Sequence, residues 1–395
     1  MSLPHATDDN APLVTLGSGL AGYTVAREVR KLDRERHIVL ITQDDGAAYS
    51  KPMLSNALAQ KKDAAALVNF EATAMAMQLN ATILTHRVVG SIHTADREIE
   101  TLGTRMRYSQ LVLALGADPK RPRLAGTAAA NVLCVNDLCD YARFRHALAL
   151  SRSVAILGAG LIGVEFANDL AAAGYDVSLL DPAPAPLSRL LPQQVGAAFA
   201  SGLRRQGVRL FLGSVATHID HAGLAYRLTL ADRSSIEADL VISAIGLAPR
   251  VALARAAGID VGQGICTDSF CRTSAPDVFA LGDCAEIDGK VQPYVLPIMH
   301  AARALAATLC GTSTPVRFPV MPVSVKTPAV PAVVAPAPDG ADHWSVEAWP
   351  NADSEGLRAL CTEQESGRVL GFSLLGEAVA GRADLVRQME AQAQP

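Results

Sequence analysis

Residues 154–163 read Val154-Ala155-Ile156-Leu157-Gly158-Ala159-Gly160-Leu161-Ile162-Gly163. A short apolar run meets three glycines at G-x-G-x-x-G spacing, and a helical stretch then continues to about Ala173. The next apolar run, Val177-Ser178-Leu179-Leu180, ends on Asp181. This is the pattern of a strand that turns tightly into a helix. The first glycine permits the turn, the second lets backbone approach a pyrophosphate, and the third lets helix and strand pack closely. The helix N-terminus offers free N–H groups and partial positive charge.

The same plan appears earlier in the chain. Pro12-Leu13-Val14-Thr15-Leu16 leads into Gly17-Ser18-Gly19-Leu20-Ala21-Gly22, a helical stretch runs to Leu32, and Ile38–Thr42 precedes Asp44 and Asp45. Asp44 lies 22 residues past Gly22 and Asp181 lies 18 past Gly163, where an acid can accept from a ribose hydroxyl. One fingerprint is weak evidence. Two, each set between strand and helix with an acid at the expected distance, indicate two dinucleotide sites. Downstream, Ala81–Ile92 and Val208–Ile219 each read as a strand entering a polar, turn-rich meander. Each meander closes on an apolar strand and a glycine, Leu111–Gly116 and Leu240–Gly246.

After Gly246 no third fingerprint begins. Val278-Phe279-Ala280-Leu281-Gly282-Asp283 reads as a buried strand ending on Gly-Asp, followed by a helix from about Pro297 to Leu309. A proline-rich passage then opens a segment of short strands and turns to about Ala378, with a frayed tail. The expected fold is α/β. Two Rossmann-like dinucleotide-binding domains, each a three-layer βαβ core with an antiparallel β meander, precede a small α+β C-terminal domain. The expected division is 11–117 and 247–316 for the first domain, 118–246 for the second and 317–395 for the third.

The 395 residues are 50% hydrophobic and 19% charged, which excludes a disordered or fibrous chain. A net charge of −4 gives no basic surplus for nucleic acid or an anionic membrane. The N-terminal stretch has neither a charged n-region nor an apolar h-region, and no apolar run reaches membrane-spanning length. Seven cysteines in a chain this long read as reduced thiols, so a cytoplasmic setting is expected. The histidines form no metal-ligand cluster with cysteine, and no metal is expected. Asp181 accepts from a free ribose 2′-hydroxyl and repels a 2′-phosphate, and no Arg lies between Val177 and Pro186 to receive one. NADH is therefore expected over NADPH.

The order of the two fingerprints followed by Ala280-Leu281-Gly282-Asp283 resembles the two-dinucleotide flavoprotein superfamily that includes glutathione reductase, over about residues 12–316. The resemblance implies non-covalent FAD at the first site, NADH at the second, and Asp283 on the ribityl chain. Disulfide reductases of the superfamily carry a redox Cys pair where this chain reads Tyr49-Ser50-Lys51-Pro52-Met53-Leu54-Ser55, without a cysteine. The C-terminal region also lacks their His-Glu pair, since His343 is its only histidine. Cys134 and Cys139, at C-x4-C spacing, read as two buried thiols rather than a redox pair. Electrons must then leave the flavin directly, which suits a one-electron carrier protein.

Ser50–Ser55, Val323-Ser324-Val325-Lys326-Thr327-Pro328-Ala329, Val135–Arg145 and Leu161–Leu170 are similar to the short bacterial rubredoxin–NAD reductases. The Arg-Pro-Pro-Leu and Phe-Trp-Ser-Asp segments usual in ferredoxin reductases of oxygenase systems are missing. From this resemblance Lys51 and Glu165 fall beside flavin N5, and Lys326 approaches the flavin N1/O2 edge. The start of the helix after Tyr294 offers the Val295 backbone N–H at the same edge, and the backbone of Val88 covers the adenine. The glycine runs 17–22 and 158–163, with Gly116, Gly246 and Gly282, complete the cofactor set, together with Ser18, Leu20, Ala21, Asp44, Asp45, Leu161 and Ile162. The implied activity is NADH-dependent reduction of rubredoxin, a small acidic iron carrier, by a monomer. Ferredoxin reduction, NADH oxidation by dioxygen and a redox-sensing flavoprotein remain open alternatives. Lys31, Arg34 and Arg36, and Lys120, Arg121 and Arg123, are basic clusters that an acidic carrier could meet.

Overall fold

The computed structural model describes residues 11–392 other than 339, 342 and 350–355. The chain forms two compact units. One takes in the chain up to Lys51 with Val68–Asp118 and Leu247–Phe318; the other comprises Pro52–Leu67, Pro119–Gly246 and the chain from Pro319 onward.

The first unit is built on a five-stranded parallel sheet in the order Val278–Ala280, Gln110–Leu113, Leu13–Leu16, Ile38–Ile41, Thr82–Leu84. Strands Leu13–Leu16 and Ile38–Ile41 are buried at every position because both faces of the sheet are covered. Leu13, Ile38, Leu40 and Val112 pack against helices Leu20–Leu32 and Val295–Leu309. Val14, Leu16, Val39 and Leu113 pack against the meander Val89–His93, Glu98–Thr101, Thr104–Arg107 through Ile92 and Ile99.

The second unit's sheet is ordered Leu133–Cys134, Leu240–Ser243, Ser153–Leu157, Asp176–Asp181, Arg209–Leu212, all parallel; the last four repeat the first unit's order, while the edge strand comes from before the glycine run instead of after it. Its meander is Ala216–Ala222, Ala225–Leu230, Ser235–Ala238. Helix Leu161–Ala172 buries Val164, Phe166, Ala167 and Leu170, and Phe144 of helix Leu138–Leu148 meets Phe166 edge-on at 5.5 Å. The C-terminal segment adds an antiparallel sheet ordered Val323–Val325, Ala332–Ala335, Val369–Leu375, Leu357–Thr362, Trp344–Ala348. Helix Gln193–Arg205 packs on this sheet, and so does helix Arg382–Gln392. Among the described residues no helix is long and apolar enough to cross a membrane.

Four sequence expectations need correction. Residues 81–92 are two strands in different sheets, Thr82–Leu84 and Val89–His93. His86 takes a φ of +54° between them, and its N–H donates to the Asp44 carbonyl at 2.9 Å. Residues 208–219 likewise divide at Gly213, φ +68°. The tail is helical over Arg382–Gln392, because Leu385, Val386 and Met389 close the C-terminal core. The pair Cys134 and Cys139 is not buried: Cys134 is half-buried and Cys139 is exposed, and neither forms a disulfide. Helix Leu138–Leu148 turns Tyr141, Phe144 and Leu148 inward and leaves Cys139 outward.

Candidate active site

The two fingerprints fold into the same cradle. In the first unit Gly17 has a φ of +111°, and a Cβ there would lie 2.2 Å from the Ala114 carbonyl oxygen. A Cβ on Gly22 would lie 2.0 Å from the Gly17 oxygen. In the second unit Gly158, at φ +102°, would place a Cβ 2.6 Å from the Ala244 oxygen, and Gly163 would place one 1.8 Å from the Gly158 oxygen. The middle glycines differ in kind. A Cβ on Gly19 or Gly160 would meet nothing within 4 Å. Packing does not require glycine there, whereas close approach of a diphosphate does. Gly19 and Gly160 are the N-caps of their helices and neither has a side-chain cap, so the first-turn N–H groups carry no side-chain acceptor. This arrangement fits one dinucleotide on each unit.

Each cradle is tied to its aspartate. Asp44 Oδ1 accepts from Thr42 Oγ1 at 2.6 Å and Gly46 N–H at 3.0 Å, with Ser18 Oγ at 3.2 Å. Asp44 Oδ2 has no hydrogen-bond partner among the described residues, which suits a ribose hydroxyl. Asp45 closes a local turn by accepting from Ala47 N–H at 3.0 Å. In the second unit Asp181 Oδ2 accepts from Ala159 N–H at 2.6 Å and Oδ1 from Ala183 N–H at 2.8 Å. Leu187 N–H reaches the Ala159 carbonyl at 2.9 Å, so the peptide inside the glycine run is held from both sides. Ile162 and Ile245, flanking this cradle, leave apolar surface 36% and 40% exposed.

In the first unit Gly282 has a φ of +81°, and a Cβ there would fall 2.8 Å from that of Ala21. The following Asp283 is half-buried and makes no hydrogen bond among the described residues. Burial pushes its carboxyl up, and the Lys51 ammonium pulls it back. A shielded carboxylate with unfilled acceptor positions fits sugar-alcohol hydroxyls. Lys51 opens a 3₁₀ turn, Lys51–Met53. Val295 starts the Val295–Leu309 helix, 40% exposed, with no side-chain cap at Tyr294. Gly116 has a φ of +72° with open space about it, and Gly246 a φ of +115°. Val88 projects its side chain outward, 62% exposed, while its carbonyl accepts from Thr101 Oγ1 at 2.9 Å.

The second unit holds the most concentrated chemistry. Glu165, in the first turn of helix Leu161–Ala172, is 2% exposed. An isolated carboxylate so buried is costly unless paired. Lys326 supplies both its main-chain N–H, 3.1 Å from Oε1, and its Nζ, 3.0 Å from Oε2. Ser55 Oγ donates to the same Oε2 at 2.5 Å. Lys326 Nζ also donates to the Pro52 carbonyl at 2.8 Å. An ammonium has three donors, so one N–H of this third-exposed side chain remains for a ligand. From the sequence, Glu165 and Lys326 take separate edges of the ring system; in the fold they form one ion pair. Removing Lys326 leaves a buried uncompensated charge, a loss of about 3–5 kcal/mol.

One turn further along the same helix, Asp169 accepts from the N–H groups of Leu58 and Ala59, both at 2.9 Å. Burial pushes its carboxyl up, while these two donors hold it down. Tyr141 and Arg145 donate to the Lys62 carbonyl at 3.1 and 2.5 Å. Residues 55–62 are thus fastened to the second unit at four points. Ser55 and Asp169 stand out in sequence only as members of longer runs. Their partners lie 110 or more residues away, and no local pattern marks them. No group of three or more His, Cys, Asp or Glu could hold a metal ion among the described residues.

Residues 11–307 match the model of the pyridine nucleotide-disulphide oxidoreductase family. The chain belongs to this family. It is an oxidoreductase of the kind that uses FAD and NADH. Residues 315–389 match a second model, the rubredoxin binding C-terminal domain. The chain is 46% identical to the rubredoxin-NAD(+) reductase of Alcanivorax borkumensis over 382 residues, 96% of this chain and 99% of that one. It is 43% identical to the rubredoxin-NAD(+) reductase of Acinetobacter baylyi, over 95% of this chain and 96% of the relative. Among solved structures, the covalent putidaredoxin reductase–putidaredoxin complex matches with a TM-score of 0.87 at 26% identity, covering 97% of this chain and 94% of that one. In this chain the Glu165–Lys326 pair joins the helix of the second glycine run to the segment that matches the rubredoxin-binding model.

Proposed function

We propose that this oxidoreductase passes electrons from NADH through FAD to rubredoxin, one at a time. The match of residues 315–389 to a rubredoxin-binding domain carries the reading, with relatives of that activity at 43–46% identity over nearly the whole chain. FAD supplies the chemistry no side chain here offers, accepting a hydride and releasing single electrons. Gly17–Gly22, Gly116, Asp44, Asp45, the Val88 backbone, Lys51, Gly282, Asp283 and Val295 hold FAD in this reading. Gly158–Gly163, Asp181 and Gly246 hold NADH. Glu165 holds Lys326 in place, and the remaining ammonium N–H faces the pyrimidine edge of the flavin, where negative charge develops on reduction. The placement of Lys326 Nζ on a buried carboxylate supports this.

The expected domains are 11–117 with 247–316 for FAD, 118–246 for NADH and 317–395 at the C-terminus. Compact-unit boundaries at Asp118, Gly246 and Phe318 support these limits, whereas Pro52–Leu67, expected in the FAD domain, group with the second unit, which also takes in the chain from Pro319 onward. The chain is proposed to act as a monomer in the cytoplasm, away from membrane and nucleic acid. Of the two basic clusters, Lys31 is paired with Glu28 at 2.7 Å and Arg36 is spent on the Leu309 carbonyl and Gln110. Lys120, Arg121 and Arg123 make no ion pair among the described residues, which favours them for steering an acidic carrier.

The test is anaerobic reduction of purified rubredoxin by NADH at low salt, beside a [2Fe–2S] ferredoxin and dioxygen. Fast bleaching of rubredoxin, slowing as salt rises, is expected. Fast turnover of ferredoxin alone overturns the carrier and leaves the hydride step standing.

A further inference from the structure

Lys326 is the first residue past strand Val323–Val325, and the chain re-enters the sheet at Ala332. Between them Thr327–Val330 close a tight turn. Val330 N–H donates to the Thr327 carbonyl at 2.9 Å, and Thr327 Oγ1 donates to the Val330 carbonyl at 2.7 Å. Pro328 sits at the second turn position, which its fixed φ suits. The turn buries its two ends, Thr327 to 1% and Val330 to 6% exposure, and leaves Pro328 and Ala329 exposed. What receives Val330 is Gly202, inside helix Gln193–Arg205. A Cβ at 202 would stand 2.7 and 2.8 Å from the two Val330 methyls. Those contacts are far below ordinary van der Waals distance, and a valine is stiff at χ1 and cannot swing aside cheaply. Glycine is a poor helix former, so propensity does not account for it there.

We propose that Gly202 and Val330 form a seat that positions Lys326, and that both are positioning residues for electron transfer. This rests on the assignment of Lys326 to the flavin made under the proposed function. The geometry explains why the seat matters. Lys326 addresses one carboxylate with two groups, the main-chain N–H at 3.1 Å and Nζ at 3.0 Å. The main-chain contact fixes where the turn must stand, so lifting Val330 off the helix lengthens both bonds together. Thr327 transmits the position, since both of its hydrogen bonds run to Val330.

The test compares Gly202→Ala, Val330→Ala, their combination and Lys326→Met in the FAD-loaded full-length chain. It reads the flavin midpoint potential, the melting temperature and the rate of rubredoxin reduction. Lys326→Met is expected to lower the potential, because a cation that stabilises reduced flavin is gone. Gly202→Ala is expected to lower it in the same direction and to slow the carrier by about tenfold, although alanine is the better helix former. Val330→Ala in the Gly202→Ala background removes both clashing methyls and restores most of the potential and the rate. Gly202→Ala added to Lys326→Met shifts the potential no further. A Gly202→Ala potential equal to wild type, with Lys326→Met lowered, overturns the seat and leaves Lys326 at the flavin. A Lys326→Met potential equal to wild type overturns the flavin assignment and the seat with it. Should Gly202→Ala not fold, Val330→Ala alone introduces no clash and decides: a lowered potential upholds the seat and an unchanged one overturns it.

Discussion

Tyr23 and Tyr108 are both buried, and burial pushes both hydroxyls up to about 12. They differ in what the proton does. Tyr23 OH donates to the Gly46 carbonyl at 2.5 Å, beside the Asp44 turn of the first cradle. Tyr108 OH has no partner among the described residues. Tyr23→Phe is therefore expected to cost about 1 kcal/mol, while Tyr108→Phe is neutral or stabilising by about as much. Urea melts at neutral pH check both. A raised folded-state pKa means the native state binds its proton more tightly than the unfolded chain. The tyrosines' contribution is thus whole below pH 10 and lost between 10 and 12. Either Phe variant should flatten the alkaline fall in stability. At this scale Asp44 and Asp181 stand out by their spacing from the glycine runs, and Glu165 and Lys326 by resemblance to the rubredoxin reductases. The sequence is not legible for Ser55, Asp169 or Val330, whose partners lie far off in the chain and whose types are unremarkable in their neighbourhoods.

Among the elements, the glycine cradles separate packing from binding. Gly22 and Gly163 would each drive a Cβ within 2.0 Å of a carbonyl oxygen, and Gly19 and Gly160 would meet nothing. Gly163→Ala is expected to destabilise the second unit, seen as a lowered melting temperature and poor soluble yield. Gly160→Ala is expected to melt like wild type and to raise the KM for NADH about tenfold or more, with kcat far less affected. An unaltered KM in Gly160→Ala would detach that cradle from the nucleotide. Fingerprint strands and helices were readable because period, glycine spacing and a terminal acid agree. Residues 81–92 and 208–219 each look like a single strand in sequence because β-branched and apolar residues flank their turns closely. His86 takes a left-handed φ that its residue type does not announce, whereas at Gly213 the glycine is the signal and the apolar residues on either side obscure it. The last helix carries an apolar stripe of only Leu385, Val386 and Met389, too sparse to separate from a frayed end.

For the whole molecule, the duplicated plan is visible in sequence since both sheets share the order of four strands and both cradles recur. The placement of the C-terminal sheet on helix Gln193–Arg205 is not, because a single glycine facing a single valine leaves no pattern. That placement brings Lys326 to Glu165, and their pair is the point where the segment matching the rubredoxin-binding model meets helix Leu161–Ala172. The central claim is that two electrons from one NADH leave singly to rubredoxin. The direct measurement is anaerobic titration of excess oxidised rubredoxin and catalytic FAD-loaded protein with known amounts of NADH, following rubredoxin bleaching. The account predicts two rubredoxins reduced for each NADH consumed, with the flavin returned oxidised. NADH consumed with the flavin left reduced and rubredoxin unbleached would contradict it.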